Sequence, residues 1–120
     1  MIFRPALAAK VIAGEKTVTR RLCSDNPRSP WWRDRCRYRE GQRFAVQRGR
    51  GRNGKAIGYA RVVSVRKERL SEAFDRRRVW SEARKEGFET PILFAAAFAD
   101  INGELPGKTD VWRIEFEVCE

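Results

Sequence analysis

The sequence predicts an α+β fold, a small and mostly antiparallel β-barrel with about three flanking helices, in one domain spanning residues 1–120. Three observations carry this. Trp112, Ile114, Phe116 and Val118 alternate with Arg113, Glu115 and Glu117, the period of a half-buried strand. Leu93, Phe94, Ala97, Phe98 and Ile101 recur at the spacing of one helix face. The strand patterns are joined by hairpin-like turns with no βαβ rhythm, which argues against a parallel sheet.

In chain order, Ile2 and Phe3 form a short apolar start. Pro5 suits the first turn of a helix, and Leu7, Ala8, Val11 and Ile12 share a helix face that Gly14 is placed to end. Thr17, Val18 and Thr19 are strand formers leaving that helix, with Val18 and Leu22 on one face. Cys23 to Arg39 holds two prolines and no period of 2 or 3.6, so it reads as a long loop. Arg43 to Gln47 alternates, with Phe44 and Val46 inward. The glycine-rich run Arg48 to Gly54 ends in Asn53-Gly54, a strong hairpin-turn signal. Lys55 to Arg66 is a long strand, with Ile57, Tyr59, Val63 and Val65 sharing a face. A helix over Ser71 to Lys85, capped by Ser71, has Phe74, Trp80 and Ala83 as apolar anchors. Thr90-Pro91 is a capped helix start and Asn102-Gly103 a stop. In the last strand, Arg113, Glu115 and Glu117 are expected to face water.

Net charge is +10, but it is unevenly placed. Arg20 to Arg52 holds 11 arginines against Asp25, Asp34 and Glu40, while the chain from Asn53 onward is neutral. One basic segment on a neutral body points to a polyanionic partner. Arginine outnumbers lysine 20 to 6, which favours stacking on bases and bidentate contact with phosphate. Three cysteines with no CxxC, and no histidine, predict free thiols in a reducing cytoplasm and no structural metal. The missing histidine also removes the usual general base and every Ser-His or Cys-His pair. No stretch is long enough to span a membrane, so no membrane partner is expected, and nothing calls for a cofactor.

Gly14-Glu15-Lys16-Thr17-Val18-Thr19-Arg20-Arg21 concentrates a lysine, two hydroxyls and two arginines in eight positions. A crowded or desolvated lysine beside a hydroxyl can activate a weak nucleophile. Arg20 and Arg21 at a strand end suit phosphate or carboxylate. On residue types alone, a basic edge strand with solvated side chains explains the stretch better. Trp31 and Trp32, among arginines, fit two readings equally: a core plug with one ring exposed, or a stacking platform for bases. Arg48, Arg50 and Arg52 sit on the glycine-rich loop, either a flexible hairpin tip or a loop that approaches phosphates.

Taken together, a helix ending in Gly, then GEKTVTRR, GQRFAVQ, GYARVVSV, EGF and VWRIEFE resembles the ASCH domain, a family related to the RNA-binding PUA domains. The resemblance implies a PUA-like barrel and a cleft for RNA or nucleotides beside the KTVTRR strand. It also implies a candidate chemistry, because small bacterial members hydrolyse the amide of acetylated cytidine. Their lysine, threonine and distant glutamate fall on Lys16, Thr19 and Glu86. In that mechanism Lys16 is the base, Thr19 the nucleophile and Glu86 the proton shuttle. The segment from Cys23 to Arg39 is longer than in those enzymes, and Arg20-Arg21 resembles a different branch. Strict strand alternation places positions 16 and 19 on opposite faces, so one pocket reaches both only if Lys16 precedes the regular strand or a bulge intervenes.

Three functions follow. The first is a binding module for RNA or a nucleotide, held by Arg20, Arg21, Trp31, Trp32, Arg48, Arg50 and Arg52. The second is the amidohydrolase acting on acetylated cytidine, free or in RNA. The third is a metal-independent ribonuclease. A free nucleoside does not need so basic a segment, which favours polymeric RNA.

Overall fold

Seen in a computed structural model, which describes residues 1–120 apart from the side chain of Asn53, the chain wraps one curled sheet between two apolar layers. Strands β1 (Val18–Leu22), β4 (Arg43–Gln47), β5 (Ala56–Arg69) and β6 (Asp110–Cys119) pair antiparallel in the order β1-β6-β5-β4. The curl makes a half-barrel, with β1 and β4 at its two edges. A two-residue hairpin, β2 (Trp31–Trp32) with β3 (Arg35–Cys36), stands apart inside the segment expected as a loop. The Trp112 indole N–H pins it by donating to the carbonyls of Trp31 and Trp32, both at 3.1 Å.

Helix α1 (Pro5–Ile12) closes one face, over a core that includes Phe3, Val11, Phe44, Val62, Ile114 and Phe116. It docks where β5 carries Gly58, a position with no room for a Cβ against Ile12. The N-terminal segment runs along β4, with the Phe3 N–H donating to Gln47 O at 2.9 Å. Helices α2 (Leu70–Ala73), α3 (Val79–Lys85) and α4 (Pro91–Asn102) cover the other face, around Leu70, Ala83, Phe94, Phe98 and Val111. Thr90 caps α4 as expected, its hydroxyl accepting from the Leu93 N–H at 3.2 Å.

Several expectations are corrected. The helix over Ser71 to Lys85 is two helices, because the Asp75 carbonyl and side chain take the N–H groups of Arg77, Arg78 and Val79 into a turn. Arg69, not Ser71, holds the cap position of α2, and Trp80 is exposed. On β5 the buried apolar residues are Ala60 and Val62, and Val63 is exposed. Val63 is the extra residue of a β-bulge, since Val62 pairs with Phe116 and Ser64 with the adjacent Glu115. The bulge exchanges the faces of everything after it, sending Val65 into the first core and Glu68 to the helical side. Leu93 and Ile101 of α4 are exposed and only Phe94 and Phe98 are buried, while Val118 also reaches water. Arg113 was expected in solvent but is buried, because α3 covers the second face of β6. The Asn53 half of the turn signal has its side chain outside the described residues.

Candidate functional site

A cavity of about 540 Å³ opens along the free edge of β1. In register with β6, Thr19 and Arg21 lie opposite Ile114 and Trp112 on the α1 side of the sheet. Arg20 and Leu22 lie opposite Arg113 and Val111 on the helical side. A cavity at an edge meets both faces, so all four residues line it. Lys16 precedes the regular strand, which begins at Val18, and it lines the same cavity with Thr19 and Glu86. The alternation that separates positions 16 and 19 therefore does not part them here. Two links fix that approach. The Thr17 N–H donates to Lys85 O at 2.7 Å, tying the entry to β1 to the end of α3. Gly87 then turns the chain with φ +98°, close enough that a Cβ there would lie 3.4 Å from Lys16 Cβ.

Beneath the cavity floor lies a buried ionic cluster. The Lys16 ammonium donates to Val18 O (2.8 Å), Glu86 O (2.9 Å) and Glu86 Oε1 (3.0 Å). All three of its N–H bonds are thus engaged. Arg20 donates through Nε to Glu68 Oε1 (2.6 Å), through Nη1 to Glu86 Oε2 (2.8 Å) and through Nη2 to Glu82 Oε1. Arg113 Nε donates to the same Glu82 oxygen at 2.8 Å. Three buried cations face three buried carboxylates, so the cluster is neutral, as burial demands. Burial alone would push the Glu82 carboxyl up, but the hydrogen bonds and charges of Arg113 and Arg20 hold it at about 2, against an ordinary 4.5. Burial lowers the Lys16 pKa, Glu86 opposes that shift, and Arg21 and Arg20 add to it. Glu68 Oε2 has no hydrogen-bond partner among the described residues, its nearest cations being Arg66 and Arg78 at 3.6 Å.

Thr19 is buried, and its hydroxyl makes no hydrogen bond to Lys16 or Glu86 among the described residues. Arg21 leaves the cluster. Its Nη2 donates to Ile2 O at 2.7 Å, and its guanidinium sits 5.3 Å from the Phe3 ring centre and 5.4 Å from that of Trp31. Trp31 stacks on Tyr38 at 5.1 Å and walls the cavity. Trp32 is half-buried and lies outside it. Arg48 reaches the cavity, whereas Arg50 and Arg52 are exposed beyond it.

Glu68, Glu82 and Arg113 were not singled out from the sequence. Their signal was indirect. Glu82 of α3 lies four residues before its C-cap Glu86, so the two carboxylates fall on the same side of the helix end.

Solved structures share this arrangement of sheet, edge and helices. An ASCH domain from Lactobacillus crispatus superposes with a TM-score of 0.63 at 16% identity, over 94% of this chain and 70% of that one. The fold is that of an ASCH domain. The ASCH protein from Zymomonas mobilis matches at 0.58 and 16% identity, over 98% of this chain and 67% of that one. Protein EF3133 from Enterococcus faecalis matches at 0.58 and 18%, over 94% and 69%. A variant of the Zymomonas ASCH protein is spanned over 66% of its length, so this chain presents the fold in about two thirds of that length. No family model and no curated protein matches the sequence. Among the described residues no helix is long and apolar enough to cross a membrane, and no group of three His, Cys, Asp or Glu is placed to hold a metal ion.

Proposed function

We propose that this ASCH-fold chain binds RNA or a nucleotide, with a base in the cavity at the β1 edge and the phosphates towards Arg48, Arg50 and Arg52. The observation that carries the reading is the state of Lys16. Its three N–H bonds already serve three acceptors, so it has no lone pair to offer Thr19, and Glu86 is held by both Lys16 and Arg20. Such a cluster holds a shape rather than moving protons. The apolar and aromatic walls supplied by Phe3, Trp31, Phe94 and Phe98 suit a ring, and the arginine-rich segment suits a polyanion.

Fluorescence anisotropy with a labelled single-stranded RNA tests this between 50 and 200 mM salt. The logarithm of affinity should fall with that of salt by about 0.7 for each phosphate engaged. Replacing Arg48, Arg50 and Arg52 with alanine should flatten that slope. Affinity insensitive to salt, or absent at low salt, refutes the reading.

One observation favours a second reading, the amidohydrolase: Lys16, Thr19 and Glu86 all line one cavity. Lys16 would first pass a proton across 3.0 Å to Glu86 and then take that of Thr19. Acetate released from acetylated cytidine, and lost in Lys16→Ala, would establish it.

A further inference from the structure

We infer that the ligand base is read by the main chain of β1, through the outward N–H and C=O of Arg20 and Leu22 against the Watson–Crick edge of a nucleobase. The inference rests on the binding reading above and names what the cavity recognises.

In an antiparallel pair, residues alternate between exchanging both hydrogen bonds with the neighbour and turning both groups away from it. The register of β1 on β6 is continuous from Val18 opposite Glu115 to Leu22 opposite Val111. Its phase is fixed at both ends. The Phe116 N–H donates to Thr17 O at 2.9 Å, and the Cys23 N–H donates to Asp110 O at 3.1 Å. The Thr17 carbonyl, Thr19, Arg21 and the Cys23 N–H therefore bond inward, the Thr17 N–H having left the ladder for Lys85 O, and Val18, Arg20 and Leu22 turn their peptide groups to the free edge. Val18 O bears this out, since it is the carbonyl that Lys16 caps. The outward groups of Arg20 and Leu22 have no such cap among the described residues.

Arg20 shows which of its atoms meet the cavity. Its side chain is 0% exposed, yet the residue is 4% exposed and lines the cavity, so the accessible part is main chain. An unpaired donor beside an unpaired acceptor, in a half-apolar recess, is costly until something pairs with both. Another strand could do so, but the apolar and aromatic walls of the 540 Å³ cavity, with Phe3, Trp31, Phe94 and Phe98, favour a flat ring. One ring system with its sugar fits. Uracil and guanine offer an N–H beside a C=O, and cytosine and adenine an amino donor beside a ring nitrogen, each a match for one outward residue. Specific side chains are then unnecessary at the base edge, which accounts for Arg20 having all three of its donor nitrogens turned to carboxylates.

The test is a titration of the ¹⁵N-labelled protein with the four 5′-nucleoside monophosphates. It is followed by a comparison of uridine and guanosine monophosphates with their 3-methyluridine and 1-methylguanosine counterparts, in which the edge N–H is blocked without adding charge. The Arg20 and Leu22 amide protons should move downfield on binding, and edge methylation should weaken affinity by about tenfold or more. Binding that shifts Trp31 and Phe94 but leaves those two amides in place, or that tolerates the methyl group, overturns the inference while the binding function stands. No binding of any monophosphate or of short RNA overturns both.

Discussion

Replacing Arg20 with methionine should strand carboxylates that cannot reach water. Each partner has a different fallback. Glu82 keeps Arg113 at 2.8 Å, and Glu86 keeps Lys16 at 3.0 Å. Glu68 keeps no hydrogen bond among the described residues, because Oε2 already lacks one and Oε1 loses its 2.6 Å contact with Arg20. Its side chain is 2% exposed. Removing one partner of a buried pair costs about 3–5 kcal/mol. At about 0.05–0.15 kcal/mol per residue, 120 residues have about 6–18 kcal/mol in all, so the variant should fold but be much weakened. Urea unfolding at pH 7, followed by the fluorescence of the four tryptophans, measures the loss. One further sign is specific to stranded charge. Arg20→Met with Glu68→Met should recover most of the loss, because neither partner is then left alone. A loss under about 1 kcal/mol, or a double variant no better than the single, refutes the reasoning.

Two other outcomes follow from the same geometry. Glu82 ionises at about 2 in the fold and at 4.5 ordinarily, so the fold holds fewer protons than the unfolded chain between those values. Stability should therefore fall as pH drops from about 5 to about 2, by about 3 kcal/mol from this group, and urea midpoints across that range should flatten in Glu82→Gln. Gly87→Ala places a Cβ at φ +98° against Lys10 and Lys16, and should cost about 1–3 kcal/mol by urea unfolding and weaken RNA binding, since Glu86 is its neighbour.

The elements with one dominant signal were legible from sequence. Strand β4 and helix α1 follow their periods closely, and α4 starts at its expected Thr90 cap although Leu93 and Ile101 of its stripe face water. The buried cluster was not legible, for a physical reason. Alternation assigns Arg113 to water only if the second face of the sheet is wet, and α3 makes that face dry. A charged residue looks the same in sequence whether water or a counter-charge solvates it, and only the fold brings Glu68, Glu82 and Arg20 together. The bulge at Val63 carries no glycine to announce it, yet it decides that Glu68 faces Arg20. Lys16, Thr19 and Glu86 came from a family resemblance, and no periodicity in the chain would have joined positions 70 residues apart.

The edge strand also has a place in time. Val18 of β1 pairs with Glu115 of β6, 97 residues later, so β1 has no sheet partner until those residues exist. At about 5–20 residues per second, a ribosome needs about 5–20 s to make that stretch. Contacts this distant also carry a large loop-closure cost, so they arrive late in folding. During that interval the arginine-rich segment is already made, but the recess beside it has no floor. On the binding function proposed above, capacity to hold a base would switch on only with β6, so a nascent chain would carry the charge for nucleic acid before it carried any means of choosing among bases.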